Sequence, residues 1–497
     1  VNILFATSEA VPFAKTGGLA DVSSSLPLAL SQIGHNTVVI MPAYKQALRA
    51  GQPTQPLGID FSIPVWNKTV SGSLLESRLP NSNVPVYLVL QDQYFDREGL
   101  YNHRGEDYAD NCERFVFFSR AVLETIRLLG LSVDVLHTND WQTGLIPAYL
   151  ETMYRKFPGY EKIISVHTIH NLAYQGVFWH WDMCLTGLDW KYFTYENMEF
   201  FGKLNLLKTG IMFADGLTTV SLRYAREILT EEFGCGLHGV LQHRHDKLRG
   251  ILNGVDTDHW DPAKDESLAT TYNVENVLER KLICKSALLR EMGLPEREGS
   301  PLIGIVGRLA SQKGIDLVVD VMPYWVENHD VQWVVLGTGD PALEHKLEEL
   351  ASQYPQNIAV KLGFSDPLAH RIEAGSDMFL MPSRYEPCGL NQMYSLIYGT
   401  VPIVRETGGL ADTVIGMNEE TLANQTANGF SFKDADHNGL NWALEQAIHC
   451  YRYNRPAWEQ LTKTGMVQDW SWKQSAGHYL EFYEELKAKN EKNEVNC

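Results

Sequence analysis

No cysteine in this chain belongs to a C-x-x-C pair. The seven present (Cys112, Cys184, Cys235, Cys284, Cys388, Cys450 and Cys497) are scattered and odd in number. That pattern excludes a disulfide scaffold or a zinc ribbon and reads as isolated thiols in a reducing cytoplasm. No run approaches the roughly 18 consecutive apolar residues that a membrane helix needs. The opening VNILFATSEAVPFA is too short and too polar for a signal peptide, and Lys15 interrupts it. Positive charge is scarce: 42 Lys and Arg stand against 61 Asp and Glu, a formal balance of −19. Neither nucleic acid nor an anionic membrane suits such a chain as its main partner. An anionic ligand must instead be held by a few local cations and backbone N–H groups. H-E-x-x-H is missing too, and no G-x-G-x-x-G follows the first strand, which argues against a nicotinamide oxidoreductase.

What the chain does contain is length and alternation. Its 497 residues are too many for one core, so two domains are expected. Short apolar β-rich runs alternate with amphipathic helical stretches. VNILFA, TVVIM, VPVYLVL, DVLHT, KIISVHT and GLTTVS fill the first half; PLIGIVG, VQWVVLG, NIAVKLG, DMFLMPS and TVPIV fill the second. Strands apolar on both faces, each followed by a helix, predict open, doubly wound parallel α/β sheets. The turn-rich stretch GILNGVDTDHWDPAKDESLATTYN marks the change of domain. The expected organisation is residues 1–248, an N-terminal Rossmann-like, acceptor-side domain; 249–470, a C-terminal Rossmann-like, nucleotide-sugar-binding domain; and 471–497, a helix fraying into a charged tail.

TGGLAD occurs twice, as KTGGLAD at 15–21 and ETGGLAD at 406–412, each behind a strand-like run. Paired glycines at a strand-to-helix turn let a backbone approach a ligand closely, and the following helix N-terminus suits phosphate. Two such sheets facing one another would form a cleft with a glycine loop on each wall. T-G-G alone marks no more than two helix starts, so the other motifs decide. GRLASQKG puts Arg308 and Lys313 on another strand-to-helix loop, a cation pair suited to a diphosphate. SRYEPCGLNQ places Glu386 at a turn beside Cys388, Gly389 and Leu390, as an acceptor for sugar hydroxyls or a complement to a helix dipole. HTNDW ends a strand with Asp140, and HTIHNLAYQG sets His170 and Asn171 after another. His167 and His170 lack a third ligand, so metal is not expected there. DTD at 256–258 reads as turn structure. The aromatic-rich stretch 176–202 reads first as interdomain core packing; stacking of Trp179, Trp181 or Trp190 on a glucan is the alternative.

Taken together, these motifs resemble the bacterial glycogen synthases and plant starch synthases, glycosyltransferase family five, which use ADP-glucose. KTGGLAD, HNLAYQG, NGVD, GRL-x-x-QKG, SR-x-EPCGL and TGGLADTV stand in the family's order and spacing over nearly the whole chain. The resemblance implies the GT-B fold, two Rossmann-like domains facing across a cleft, with no cofactor and no metal. It implies that Lys15, Gly17 and Gly18 meet the donor phosphates from one side. Arg308 and Lys313 would hold the diphosphate from the other, with the Gly408–Gly409 backbone. Glu386, with His170 and Asn253, would bind the transferred glucose. Asp140 would serve the acceptor, Asp21 and Tyr101 would lie nearby, and Phe364 would lie against the adenine. Glu406, badly placed beside a diphosphate, would turn away or pair with Arg405. Leu222 stands where the family commonly has Pro, which questions a local turn. The implied activity is retaining transfer of glucose from ADP-glucose to the non-reducing end of an α-1,4-glucan such as glycogen. A UDP-glucose-dependent relative and a non-catalytic glucan-binding protein are the alternatives.

Overall fold

The computed structural model describes residues 1–495; Cys497 and the end of the charged tail lie outside the described residues. The chain divides into two compact units. The first comprises Val1–Val220, Ala225–Gly254 and the segment from Trp472 onward; the second comprises Ser221–Tyr224 and Val255–Ser471.

The first unit is built on a nine-stranded sheet. Its strands are β1 (Asn2–Ala6), β2 (Asn36–Pro42), β3 (Gln55–Val65), β4 (Lys68–Arg78), β5 (Pro85–Leu90), β6 (Val135–Asn139), β7 (Ile164–Ile169), β8 (Gly216–Thr219) and β9 (Leu248–Gly250). Their order is β9-β8-β7-β6-β1-β2-β5-β4-β3. All pairs from β9 to β5 are parallel, and β4 and β3 add an antiparallel hairpin at the edge. The chain winds outward from β1 through β5 and returns to β6 on the other side of β1. Between β1 and β6 lies the switch point where open α/β sheets bind ligands.

The hairpin was not among the expected strands. Its first strand alternates from Leu57 to Val65, burying Phe61, Ile63 and Val65 between exposed neighbours. This is one-sided burial with a period of two, not the continuous apolar run of a central strand. The first unit also runs past the expected boundary at 248, because β9 begins there and pairs with β8.

Helix α1 (Gly18–Gln32) buries Leu19, Val22, Leu26, Ala29 and Leu30, a helical stripe that covers the sheet.

The second unit carries a six-stranded sheet: β10 (Leu302–Leu309), β11 (Gln332–Gly339), β12 (Ile358–Leu362), β13 (Met378–Met381), β14 (Val401–Arg405) and β15 (Phe430–Phe432). Its order, β12-β11-β10-β13-β14-β15, is all parallel and is the Rossmann order 3-2-1-4-5-6. Helix α2 (Ile315–His329) buries Ile315, Val318, Met322 and Trp325 in the core with Trp333, Val335, Leu380 and Ile403. Helices α3 (Asp366–Gly375), α4 (Asn391–Ile397) and α5 (Gly408–Thr413) follow β12, β13 and β14.

The last helix, α6 (Trp472–Val495), belongs to the first unit. The Tyr483 hydroxyl meets His137 Nδ1 at 2.6 Å, Arg249 pairs with Glu485 at 2.6 Å and Lys487 with Asp134 at 3.1 Å. Gly216 lets it dock, since a Cβ there would lie 2.5 Å from Leu486 Cδ1. Among the described residues no helix is long and apolar enough to cross a membrane.

Candidate functional site

In the first unit the expected residues gather at the carboxyl ends of β1, β6 and β7, which are neighbours in the sheet. After β1 the chain buries Glu9, which the sequence reading missed. Its carboxylate organises the whole KTGG loop. Oε2 accepts from the Thr16 amide at 2.5 Å and the Gly17 amide at 3.3 Å, while Oε1 accepts from the Thr16 hydroxyl at 2.5 Å and the Tyr101 hydroxyl at 2.7 Å. The only signal available was a lone charge in the otherwise uncharged FATSEAVPFA. Lys15 reaches across the loop to Asp21, Nζ to Oδ1 2.7 Å, and both are partly exposed. A Cβ built on Gly17 or Gly18 would meet nothing within 4 Å.

Asp140 follows β6 with φ 55° and ψ −174°, a conformation essentially confined to glycine. Its own N–H bonds Thr168 O at 3.0 Å, and its Oδ1 accepts from the His170 amide at 2.8 Å. Burial pushes its carboxyl up to about 7, against the pull of the His170 and Asn171 amides. His170 is buried, and desolvation lowers it to about 3, so the ring is neutral. Its Nε2 lies 2.9 Å from Asn139 Oδ1, while Asn139 Nδ2 donates to Ala6 O at 3.0 Å. The amide orientation makes Oδ1 an acceptor, which puts the imidazole proton on Nε2. Asn171 Oδ1 accepts from the Ala173 amide at 3.0 Å and shapes the next turn. Asn253 is buried, and its Oδ1 has no hydrogen-bond partner among the described residues.

In the second unit the expected residues follow β10, β13 and β14, again neighbours across the switch point between β10 and β13. Arg308 is exposed at the end of β10. Lys313 Nζ contacts Glu386 Oε2 at 2.5 Å, and the Ser383 hydroxyl donates to the same oxygen at 3.1 Å. Glu386 is buried, and its Oε1 takes no hydrogen bond from a described residue. Two unforeseen features brace this turn. Arg384 forms a bidentate pair with Asp316, 2.7 Å at each bond. Gly314 (φ +72°) lets the loop before α2 lie against Pro382, where a Cβ would come 2.2 Å from the carbonyl oxygen.

The second TGGLAD differs from the first in its surroundings. A Cβ on Gly408 (φ +45°) would lie 1.8 Å from Glu386 O, and one on Gly409 would lie 2.0 Å from Cys388 O. The Gly409 amide donates to Glu386 O at 3.2 Å and to Pro387 O at 3.1 Å. This loop therefore presses on the backbone of the Glu386 turn, and the Gly409 N–H is engaged there. Cys388 is buried and Gly389 takes φ +72°, where Gln392 donates to both their carbonyls, opening α4 after Leu390. Glu406 accepts from the Ser431 hydroxyl at 3.0 Å, whereas Arg405 bonds the carbonyls of Lys433 and Arg384. Phe364 stands 86 % exposed after β12. Leu222 begins a helical turn (Leu222–Glu227), which Ser221 caps by accepting from the Tyr224 amide at 3.1 Å, so the turn forms without proline.

The three tryptophans of the aromatic stretch stand out of the core, while Met183, Leu188 and Met198 beside them are buried. Trp179, Trp181 and Trp190 are 62 %, 53 % and 43 % exposed. Trp181 meets Trp179 at 6.4 Å and Trp190 at 5.5 Å between centroids, edge to face.

The glycogen synthase of Rhodopirellula baltica is 45% identical over 493 residues, covering 97% of each chain. The chain belongs to the glycogen synthase family. That of Anaeromyxobacter dehalogenans is 46% identical, covering 98% of this chain and all of the relative. Residues 2–243 match the starch synthase catalytic domain family, and residues 292–463 match glycosyl transferases group 1. Among solved structures, the catalytic domain of starch synthase IV from Arabidopsis thaliana, bound to ADP and acarbose, superposes with a TM-score of 0.88. It is 32% identical and covers 98% of this chain and 99% of that one. The fold is GT-B, built of two Rossmann-like domains, and the protein is a glycosyltransferase.

Proposed function

We propose that this enzyme is a glycogen synthase that transfers glucose, with retention, from ADP-glucose to the 4-hydroxyl at the non-reducing end of an α-1,4-glucan. One observation carries the reading. A cation loop, a buried carboxylate and a glycine loop meet at the switch point of a 3-2-1-4-5-6 sheet, the standard place for a nucleotide. The relative from Arabidopsis bound to ADP supports the choice of nucleotide.

The second unit serves the donor. Arg308 and Lys313 hold the diphosphate and stabilise the charge that grows on it as the bond from C1 of glucose to the phosphate oxygen breaks. Fixed charge aimed at the leaving group is the largest contribution expected here. Glu386 Oε1 accepts from a glucose hydroxyl while Oε2 stays on Lys313. Phe364 stacks on the adenine. Gly408 and Gly409 act through the Glu386 turn, which their missing side chains allow to sit where it does. With only one carboxylate set for the sugar, the two-carboxylate pattern of glycosidases does not apply. The departing phosphate takes the proton of the acceptor hydroxyl as that oxygen bonds C1 on the same face.

From the first unit, Lys15 and the Gly17–Gly18 backbone, with Asp21 and Tyr101 fixing the loop, add to the phosphate contacts. His170 Nδ1, the ring's acceptor atom, and Asn253 Oδ1 receive sugar hydroxyls. Asp140, raised to about 7, exchanges hydrogen bonds with the acceptor. The exposed tryptophans offer ring faces to a glucan chain.

The deciding assay incubates the protein with labelled ADP-glucose or UDP-glucose plus glycogen and counts polymer-bound label. ADP-glucose is expected to label the polymer, and Glu386→Gln to abolish most incorporation while the protein stays folded. Incorporation from UDP-glucose alone, or none with either donor, would overturn the proposal.

A further inference from the structure

The turn-rich segment after residue 255 holds a group of side chains that the transfer reaction does not use. His259 Nε2, His370 Nε2 and Asp366 Oδ2 converge on one point, within 4.8 Å of one another. Asp366 opens α3 and His370 lies four residues later, so one helical turn sets both on the same face. The segment Asp256–Asp265 delivers His259 against them. Asp256 Oδ1 accepts from the amides of Asp258 at 3.0 Å and His259 at 3.3 Å, so the DTD motif is turn structure whose product is the placement of His259.

His370 Nδ1 lies 2.7 Å from Asp265 Oδ2, and the carboxylate keeps a proton on that nitrogen. Its Nε2 faces the other two side chains. His259 Nε2 lies 3.2 Å from His370 Nε2 and 3.2 Å from Asp366 Oδ2. Two imidazole nitrogens and a carboxylate oxygen thus converge on one spot, the nitrogen and oxygen donor set that a divalent d-block cation takes.

Distances agree with this reading. The three edges are 3.2, 3.2 and 3.8 Å. A tetrahedral ion with bonds of about 2.0–2.1 Å to nitrogen and oxygen has ligand-to-ligand edges of about 3.3 Å. The support is also that of a metal site. Ligating histidines usually give their other N–H to a carboxylate, as His370 does to Asp265. Asp265 is itself held by the Tyr398 hydroxyl at 2.6 Å and the Ser267 amide at 2.8 Å. The indole of Trp260 stacks flat on His370, centroids 3.8 Å apart and 9° from parallel, and locks the ring. One ligand is thus rigid and buried, while His259 and Asp366 are about half exposed and leave an entry path.

We propose that His259, Asp366 and His370 bind a divalent d-block cation, with zinc as the fitting case and water completing the shell. The ion ties the 256–265 segment to the start of α3. It is structural, and it takes no part in glucosyl transfer.

The full chain, stripped with a chelator and desalted, is titrated with zinc chloride by calorimetry and with Co2+ by visible absorption. One equivalent of zinc is expected to bind, and Co2+ to give the intense bands of a tetrahedral site. His259→Ala and, separately, Asp366→Asn should weaken zinc by at least about tenfold, since even outer-shell changes cost 10–100-fold. Both positions are half exposed, so two independent variants guard against misfolding of one. Zinc should raise the melting temperature of the parent chain and not of His259→Ala. No stoichiometric binding, or binding equally tight in the parent chain and both variants, would overturn the assignment.

Discussion

Substituting one glycine in each TGGLAD copy separates two roles that identical letters conceal. Gly408 sits at φ +45°, and an added Cβ would lie 1.8 Å from Glu386 O. An L side chain in that region costs about 1–2 kcal/mol, and overpacking against backbone, which cannot rotate away, adds about 1–3 kcal/mol. Gly408→Ala should therefore destabilise the protein by roughly 2–5 kcal/mol. At about 2–4 °C per kcal/mol for a unit of this size, the melting midpoint falls by roughly 4–20 °C. The forced shift also moves Glu386, and a displacement near 1 Å can cost about 10² in kcat. Gly18 is the opposite case. It takes no left-handed φ, starts α1, and its Cβ would meet nothing within 4 Å. Gly18→Ala should leave stability unchanged or raise it by up to about 1 kcal/mol through the unfolded chain. If donor phosphates approach that backbone, the methyl still lowers kcat/KM for ADP-glucose by about tenfold or more, the effect of a steric cost above 1 kcal/mol. Melting curves and donor kinetics on the same preparations decide. Gly408→Ala melting like the parent protein would refute the packing argument. Gly18→Ala with unchanged kcat/KM would refute the ligand-facing role of the first loop.

Arg308→Ala and Lys313→Ala should each lower kcat by roughly 10²–10³, less than additively in the double mutant because both serve one diphosphate. Lys313→Ala should also lower the melting temperature, since it strips the buried Glu386 of its cation; an unchanged melting temperature in that variant would count against the pairing. Asp140 holds its proton to about pH 7 in the native state against an ordinary value of 3.8, so native protein binds more protons than unfolded chain between those values. Stability is therefore lost as pH rises through that window, by up to about 4 kcal/mol from this group. Asp140→Asn should flatten that part of the stability-versus-pH curve, and an unchanged slope would remove the assignment. Trp181→Ala should raise KM for glycogen about threefold to tenfold at unchanged kcat, the worth of one aromatic contact; unchanged KM would return the exposed tryptophans to a structural role.

Much of this protein is determined locally and so is written in the sequence. Central parallel strands are buried on both faces, and every apolar run from VNILFA to TVPIV became one, because burial of both faces leaves a continuous hydrophobic signature. The edge hairpin β3–β4 escaped notice because a strand with one solvated face alternates and leaves no continuous apolar run, and Gly58 and Pro64 put turn-type residues inside β3. Arg308, Lys313, Glu386, Asp140 and His170 were legible as polar residues directly after strands, where a ligand can be reached. Tertiary structure alone decided what depends on distant neighbours. Glu9 gained its place by gathering Thr16, Gly17 and Tyr101, the last of which is 92 residues away. Asp140 acquired its glycine-like backbone and raised carboxyl from burial. The final helix returned to the first unit because Tyr483, Phe482 and Leu486 bury there, a choice that no local pattern encodes. The two TGGLAD copies state the division most plainly: six shared letters predict two strand-to-helix turns. Whether each glycine pair faces open space or another stretch of backbone depends on what packs beside it, and that is a property of the folded chain.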